Sequence, residues 1–433
     1  MCFRITGWRA RAGERKALRR PCDAFTKFIA GHIATGALDL GVNAMSKSGS
    51  VVIIGGAIIG SFVAYFLRKE GFEGKIQVIE RDSSYQFSST ALSAASIRTQ
   101  FGCHFNISMS LFGADMFRNI KEWFGPDADI GFEERGYLMI GSAEHAPVQR
   151  ENALIQREYG ANIDILTPAQ AKERYDWLNV EDVGIATYGV KNEGWFDAWA
   201  LMQLVRKEAK NLGVEYINGD VVKLRQEAGR ISAVELKDGT VLPCDWCVNS
   251  AGAAGGKVAA LAGIDLPVEP RKRTIFHIKA PVPSENFPML FDNSGAWIRP
   301  EGDGFICGIA PEMARDPHAE GDYEPDHYLF EEFIWPLLAH RVPLLEQVRI
   351  QRAWAGHYEM NLLDHNGVVG PHPEITNFLF ATGFSGHGVM HSPATGRGIA
   401  ECIVHGKYKS IDLSELGYSR IVKNTPIVEA LVY

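Results

Sequence analysis

The chain has 433 residues, 46% hydrophobic and 22% charged, the make-up of a globular protein with ample material for a core. A formal net charge of -8 gives no basis for a nucleic-acid partner, and no apolar run reaches the roughly 18 residues of a membrane-spanning helix. Seven cysteines, an odd number without a spacing framework, point to a reducing compartment and away from a disulfide-stapled secreted fold.

Residues 1–44 carry eight Lys or Arg against three acids, in a chain that is acidic as a whole. Met45 stands immediately ahead of the first apolar strand. The segment reads as a disordered or untranslated extension of a cytoplasmic protein, with a mitochondrial presequence as the alternative.

Residues 51–54 are a continuous apolar run, the pattern of a parallel strand buried on both faces. Gly55, Gly56, Ala57, Ile58, Ile59 and Gly60 then make a glycine-rich turn. Phe62, Phe66 and Leu67 recur at helical spacing over 61–71, and Gly71 ends the helix. A second strand at 76–79 delivers Glu80, 20 residues after Gly60. Strand, glycine turn, helix, strand and acid in that order form a βαβ dinucleotide-binding unit. The chemistry needs a tight turn, free helix N–H groups for a pyrophosphate, and a carboxylate for ribose hydroxyls. Ala57 replaces the middle glycine of the pattern and crowds the pyrophosphate, which Gly56 relieves. Glu80 suits a free 2′-hydroxyl, so FAD or NAD fits better than NADP, and glycine spacing does not choose between those two.

Small residues fill Ser88 to Arg98, either to let backbone approach a bulky ligand or as a plain Ser/Ala loop. A helix is expected over 109–124. Strands at 132–140 and 184–188 surround helices at 148–159 and 168–175. The run Glu193-Gly194-Trp195-Phe196-Asp197 punctuates the chain, and Asp197 is a good N-cap for a helix over 198–211. Short strands follow at 214–217, 221–224, 231–236 and 241–242. Cys244 and Cys247 form C-D-W-C, but they lack a second pair for zinc and lead into a strand, so they read as inert. Residues 247–252 return to the style of a buried strand followed by glycine.

A second mixed region spans 266–348, with strands at 274–278, 296–299 and 305–309 and a helix over 328–340 interrupted by Pro336. The last unit is a strand and glycine loop over 378–388. Ser392 follows as N-cap, with Pro393 at the first position of a helix reaching about Val404. Two strand–glycine–helix units so far apart imply that both cradle one long ligand. His387 and His391 have i, i+4 spacing, yet Gly388 and Pro393 speak against a helix there and no third ligand is in view, so no metal is expected. His357 is a candidate base, although a histidine near a core strand more often has a structural role.

The motifs GGAIIG, Glu80, the small-residue run to Arg98, V-N-S-A-G and ATGFSGHG resemble the D-amino-acid-oxidase/sarcosine-oxidase family of FAD enzymes over residues 50–412. The segments EGWFDAW, LPVEPRKR, WPLLAHRVP, AWAGHYEMN and HNGVVGPHP look like one branch, whose animal members are mitochondrial and linked to respiratory complex I assembly. The resemblance implies an α/β (α+β) fold of the glutathione-reductase-like type, a Rossmann-like FAD-binding domain interleaved with a mixed-sheet substrate domain. The FAD-binding parts would be 45–130, 194–265 and 351–412. The substrate parts would be 131–193 and 266–350, with 413–433 a C-terminal tail.

Carried over residue by residue, the resemblance puts Gly55, Gly60 and the intervening Gly56, Ala57 and Ile59 at the pyrophosphate of a non-covalent FAD. Glu80 would meet the adenosine ribose, the backbone of Val222 the adenine, and Gly386, His387 and Gly388 the flavin ring. Gly252 would lie beside the cofactor, and Arg81, Ser89, Gly383 and Ser385 complete the cofactor-binding set. Arg98 falls where such enzymes place an arginine at the flavin and the substrate carboxylate, and a guanidinium fork matches that group. A structural ion pair is the alternative for Arg98. Tyr358 flanks the ring, and His387 joins the two as a catalytic candidate.

Three departures matter: Gly356 stands for the FAD-attaching cysteine, Ile306 for the oxygen-promoting lysine, and Met390 for a second carboxylate-binding lysine. They argue against simple sarcosine oxidation and against oxygen as the electron acceptor, which the sequence does not name. The implied activity is oxidation of the C–N bond of a secondary amine or N-alkyl amino acid by hydride transfer to flavin. The alternatives are a 2-hydroxy-acid dehydrogenase and an FAD-binding assembly factor with little turnover.

Overall fold

The computed structural model describes residues 48–429. The expectation for residues 1–44 lies outside them. A six-stranded sheet runs in the order Val368–Pro371, Phe378–Thr382, Trp246–Asn249, Ser50–Ile54, Lys75–Glu80, Glu215–Asn218. Every neighbouring pair is parallel except the first. Val51 and Ile53 face the helices Ile58–Lys69, Ala198–Asn211 and Gly388–His405, in one apolar core. Val52 and Ile54 point the other way, toward a three-stranded sheet of Val221–Glu227, Arg230–Leu236 and Val241–Pro243. Coverage on both faces is why the strand reads as an unbroken apolar run.

The second layer is an eight-stranded mixed sheet. Its order is Arg349–Asn361, Val268–Lys279, Gly304–Gly308, Trp297–Glu301, Met289–Phe291, Tyr137–Gly141, Ile185–Lys191, Asn162–Leu166. Leu138, Phe276, Ile298 and Phe305 anchor its outer core against Ile334 and Leu338. The division expected at residue 350 does not follow a sheet boundary. Arg349–Asn361 pairs with Val268–Lys279 over its whole length, from Lys279 opposite Arg349 to Val268 opposite Asn361. A two-stranded ribbon, Ser96–Ile97 against Gly194–Trp195, is separate from both large sheets.

Local chemistry explains where elements depart from expectation. The helix expected over 109–124 begins at His104 and divides into His104–Arg118 and Ile120–Phe124. At the break, the Asn119 side-chain amide donates back to Asp115 Oδ1 at 3.1 Å. The helix expected over 328–340 is present as one helical run over 328–341, and the irregularity at Pro336 takes the form of a π-helical turn, Phe330–Ile334, directly ahead of the α-helical Trp335–Arg341. The last helix starts at Gly388 with His387 as N-cap, so Pro393 lies inside it and Ser392 is not its cap. Proline leaves the Val389 carbonyl without its amide partner, and Ser392 Oγ donates to that carbonyl instead at 2.7 Å. The segment after 412 is packed as well: buried Arg420 pairs with Asp364 at 2.8 Å.

Candidate active site

The C-terminal ends of the parallel strands and the inner face of the mixed sheet enclose one large cavity. It holds about 1930 Å³ of empty space, its open mouth included, and its lining runs from Gly55 and Glu80 to Arg98 and Tyr137.

At the nucleotide end, Gly55, Ala57 and Ile59 line the cavity beside Glu80, Arg81 and Ser89. Gly55 has φ +101°, and a Cβ there would lie 2.2 Å from the Ser250 carbonyl oxygen, so only glycine makes this turn. No side chain caps the helix that follows, so its first-turn amides open on the cavity through Ala57, Ile58 and Ile59. The Glu80 carboxylate is held by the turn: Oε2 accepts from the Gly56 N–H at 2.9 Å and Oε1 from the Asp82 N–H at 3.0 Å.

Four residues of the implied cofactor set are outside the lining. Gly56 acts on Glu80, and Gly60 packs behind the turn, where a Cβ would meet the Gly55 oxygen at 1.9 Å. Gly383 donates its N–H to Glu359 Oε2 at 3.0 Å. Val222 stands on the three-stranded sheet with its side chain exposed, away from the cavity.

Gly252, Ser385, Gly386, His387 and Gly388 also line the cavity, Gly388 close to Ile59, and Arg98 and Tyr358 line it with them. Arg98 is 4% exposed. Its Nη1 is buried with no hydrogen-bond partner, and Nη2 lies 3.4 Å from His387 Nε2. Its guanidinium carbon is 4.7 Å from the Phe101 ring centroid and 5.8 Å from that of Phe291. No ion pair joins Arg98 to a carboxylate among the described residues, so the structural ion pair considered for it is not present. A buried cation with no carboxylate in direct contact is costly, and a ligand anion at its free edge relieves that cost.

The histidines nearby are neutral. Burial, then the Arg98 charge and His391, hold His387 well below the usual histidine range. His391 is brought to about 3 by burial and then by Arg98, and its ring shares a 3.1 Å contact with Ser110 Oγ. An arginine only donates, so His387 Nε2 is the acceptor. Phe101 packs against both rings, at 5.0 and 5.3 Å, and no cluster of metal-holding side chains occurs among the described residues.

Several lining residues had no signal of their own in the sequence. Tyr137 stacks on Phe291 at 5.7 Å and 12°, and Phe291 on Trp297 at 6.4 Å and 27°, giving an aromatic wall on the mixed sheet. Arg273 lies 5.0 Å from the Tyr358 ring and is neutralised by a two-pronged contact with Asp316 at 2.8 and 2.9 Å. Glu359 is buried, and burial raises its carboxyl from 4.5 to about 7 despite hydrogen bonds from Thr382 and Gly383. Strand alternation can show which side chains share a face, but not that the face closes over a cavity.

A family model described as FAD dependent oxidoreductase (DAO) matches residues 50–402. The chain belongs to the DAO family of FAD dependent oxidoreductases. FAD-dependent oxidoreductase domain-containing protein 1 of Xenopus laevis is 41% identical over 418 residues, 88% of this chain and 84% of that protein. Sarcosine dehydrogenase, mitochondrial, of Mus musculus is 25% identical over 384 residues, 84% of this chain and 40% of that protein. Among solved structures, L-proline dehydrogenase from P. horikoshii has a TM-score of 0.77 at 26% identity, covering 88% of this chain and 100% of that one.

The residues of this DAO-family chain fit the FAD that the family description names. The Gly55 turn, the open amides after Ala57 and the Glu80 carboxylate form a nucleotide cradle, and the cavity continues past them to Arg98. None of the free cysteines described, Cys103, Cys244, Cys247, Cys307 and Cys402, lines the cavity. Among the described residues, no helix is long and apolar enough to cross a membrane.

Proposed function

We propose that the protein oxidises the C–N bond of a small secondary amine or N-alkyl amino acid whose carboxylate binds Arg98. The observation that carries this reading is the buried guanidinium whose Nη1 has no partner, in the same cavity that the glycine turn and Glu80 line. Bound FAD supplies the two-electron acceptor. Arg98 receives the carboxylate through its free edge, while neutral His387 holds the other edge without adding charge. The aromatic wall of Tyr137, Phe291 and Trp297 keeps water from the reacting carbon. The Arg98 charge and the low dielectric lower the affinity of a nearby amine for its proton, and a neutral nitrogen is what C–H cleavage beside it requires.

The relatives named for sarcosine and L-proline support a secondary amine. The acceptor in this reading is another redox partner and not oxygen, because Ile306 is a buried strand residue outside the cavity lining and supplies no cation there. In this reading FAD is held non-covalently, supported by Gly356, which stands where the resemblance puts the attaching cysteine and lines the cavity. Acid precipitation then leaves a white pellet and a yellow supernatant, and flavin mass on a peptide would refute non-covalent attachment.

The test of the reaction is anaerobic titration with N-methyl amino acids, proline, their amides and 2-hydroxy acids, followed by flavin absorbance. Bleaching by the amino acids but not by their amides is expected. Bleaching by hydroxy acids alone, or by nothing in the panel, overturns the proposal.

A further inference from the structure

The segment E-G-W-F-D-A-W at 193–199 has no part in the reaction proposed above, yet its first residue is a fully buried acid. Glu193 Oε1 accepts from the Thr99 N–H at 2.7 Å and from Thr99 Oγ1 at 2.5 Å. Its Oε2 accepts from Gln100 Nε2 at 2.9 Å. Thr99 and Gln100 are the two residues that follow Arg98. The two that precede it, Ser96 and Ile97, are fixed by the ribbon with Gly194 and Trp195, which directly follow Glu193. Arg98 is therefore bracketed on both sides by one stretch of chain.

The anchorage reaches into the mixed sheet. The Gln100 amide also donates to the Tyr137 carbonyl at 3.2 Å, and its oxygen accepts from Thr187 Oγ1 at 2.7 Å. Gly189, on the strand Ile185–Lys191, lies so close that a Cβ there would meet Glu193 Oε2 at 2.0 Å. Burial leaves the Glu193 carboxyl above its ordinary value, opposed in part by the bonds from Thr99 and Gln100 and by the charge of Arg98; its contacts are all with donors, as a carboxylate requires.

We propose that Glu193 is the positioning residue for Arg98, holding the 98–100 segment in place and supplying a nearby negative charge without occupying the guanidinium fork. A carboxylate in direct contact would fill the edge that the substrate needs. One placed on the neighbouring residues offsets the buried charge and leaves that edge free. The proposal rests on the reading that Arg98 binds the substrate carboxylate, and the experiment separates the two.

The full-length, flavin-bound protein is titrated with benzoate and with benzamide as matched probes. Binding is read as the perturbation of flavin absorbance and as the rise in melting temperature. Glu193→Gln keeps the size and the acceptor for Thr99, removes the charge, and turns an NH2 toward the Gln100 amide. It is expected to weaken benzoate about tenfold, the worth of one charge-assisted hydrogen bond, with benzamide affinity and flavin content unchanged. Thr99→Val removes a single donor and is expected to weaken benzoate roughly threefold, a fraction of that bond.

If Arg98→Ala loses benzoate while Glu193→Gln and Thr99→Val bind it as wild type does, the positioning role is overturned and the Arg98 reading stands. Equal losses for benzoate and benzamide in Glu193→Gln also overturn it, because they mark general structural damage. If Glu193→Gln does not fold, Thr99→Val decides, and wild-type benzoate binding there overturns the proposal. Wild-type protein with no response to benzoate, or Arg98→Ala that binds it normally, overturns both.

Discussion

The two ends of the cavity are built by different means. The nucleotide end is built mainly from one continuous stretch, Ser50 to Arg81, with Ser89 and Ser250 beside it, and backbone geometry and the Glu80 carboxylate do most of the work. The substrate end draws on residues scattered along the chain, Arg98, Tyr137, Phe291, Trp297, Tyr358 and His387, and depends on side chains held by tertiary packing. A site made of local backbone tolerates little change at its turn but little else matters to it. A site assembled from distant strands can change its ligand with few substitutions. The difference teaches where a substitution breaks the site's backbone and where it changes only what the site binds.

Three perturbations test that contrast. The largest effect is expected from Gly55→Ala at the nucleotide end. The new Cβ would overlap the Ser250 carbonyl, and φ +101° is foreign to an L side chain; the conformational term alone costs roughly 1–2 kcal/mol before the overlap is counted. Flavin content near zero with a lower melting temperature is the expected outcome. A yellow, stable variant would show that the turn is not the strict element argued here.

Arg98→Ala at the substrate end is expected to spare FAD and to weaken carboxylate substrates by about 2–5 kcal/mol, or roughly 30- to several-thousand-fold. Arg98→Lys keeps the charge without the fork and should fall between alanine and wild type. Matched acid and amide substrates check this, and equal losses for both would remove the carboxylate role.

The smallest effect concerns pH and the flavin-free protein. Glu359 holds its proton up to about pH 7 in the fold, whereas an ordinary carboxyl ionises near 4.5. Between those values the unfolded chain has lost a proton that the folded chain keeps, so stability falls as pH rises. The contribution is fully present below the lower value and lost through the upper, and amounts to at most about 3 kcal/mol. Glu359→Gln should flatten the fall in melting temperature between pH 5 and 8. Parallel curves for variant and wild type would assign the slope to other groups.

The same contrast explains what could be read from the residues alone. The first strand, its glycine turn and Glu80 are signalled by neighbours in sequence, and the structure forms that unit as expected. The helix Ala198–Asn211 is likewise announced by Asp197, whose Oδ1 accepts from the Ala200 N–H at 2.9 Å. Pro393 misled because the compensating bond from Ser392 Oγ is a side-chain choice that proline statistics do not carry. The aromatic wall was illegible for a different reason: its position depends on how sheets stack, and no local pattern encodes that. Glu193 was visible as punctuation only, since its three donors come from residues 99 and 100.

The order of strands in the six-stranded sheet also bears on how the protein is made. Its central strand, Ser50–Ile54, leaves the ribosome early, while its neighbour Trp246–Asn249 and the next strand, Phe378–Thr382, emerge much later. Until residue 382 is synthesised, the growing polypeptide exposes an apolar edge that has no partner. Non-local pairing of this kind is slow, and the unpaired edge is exposed to aggregation until it closes.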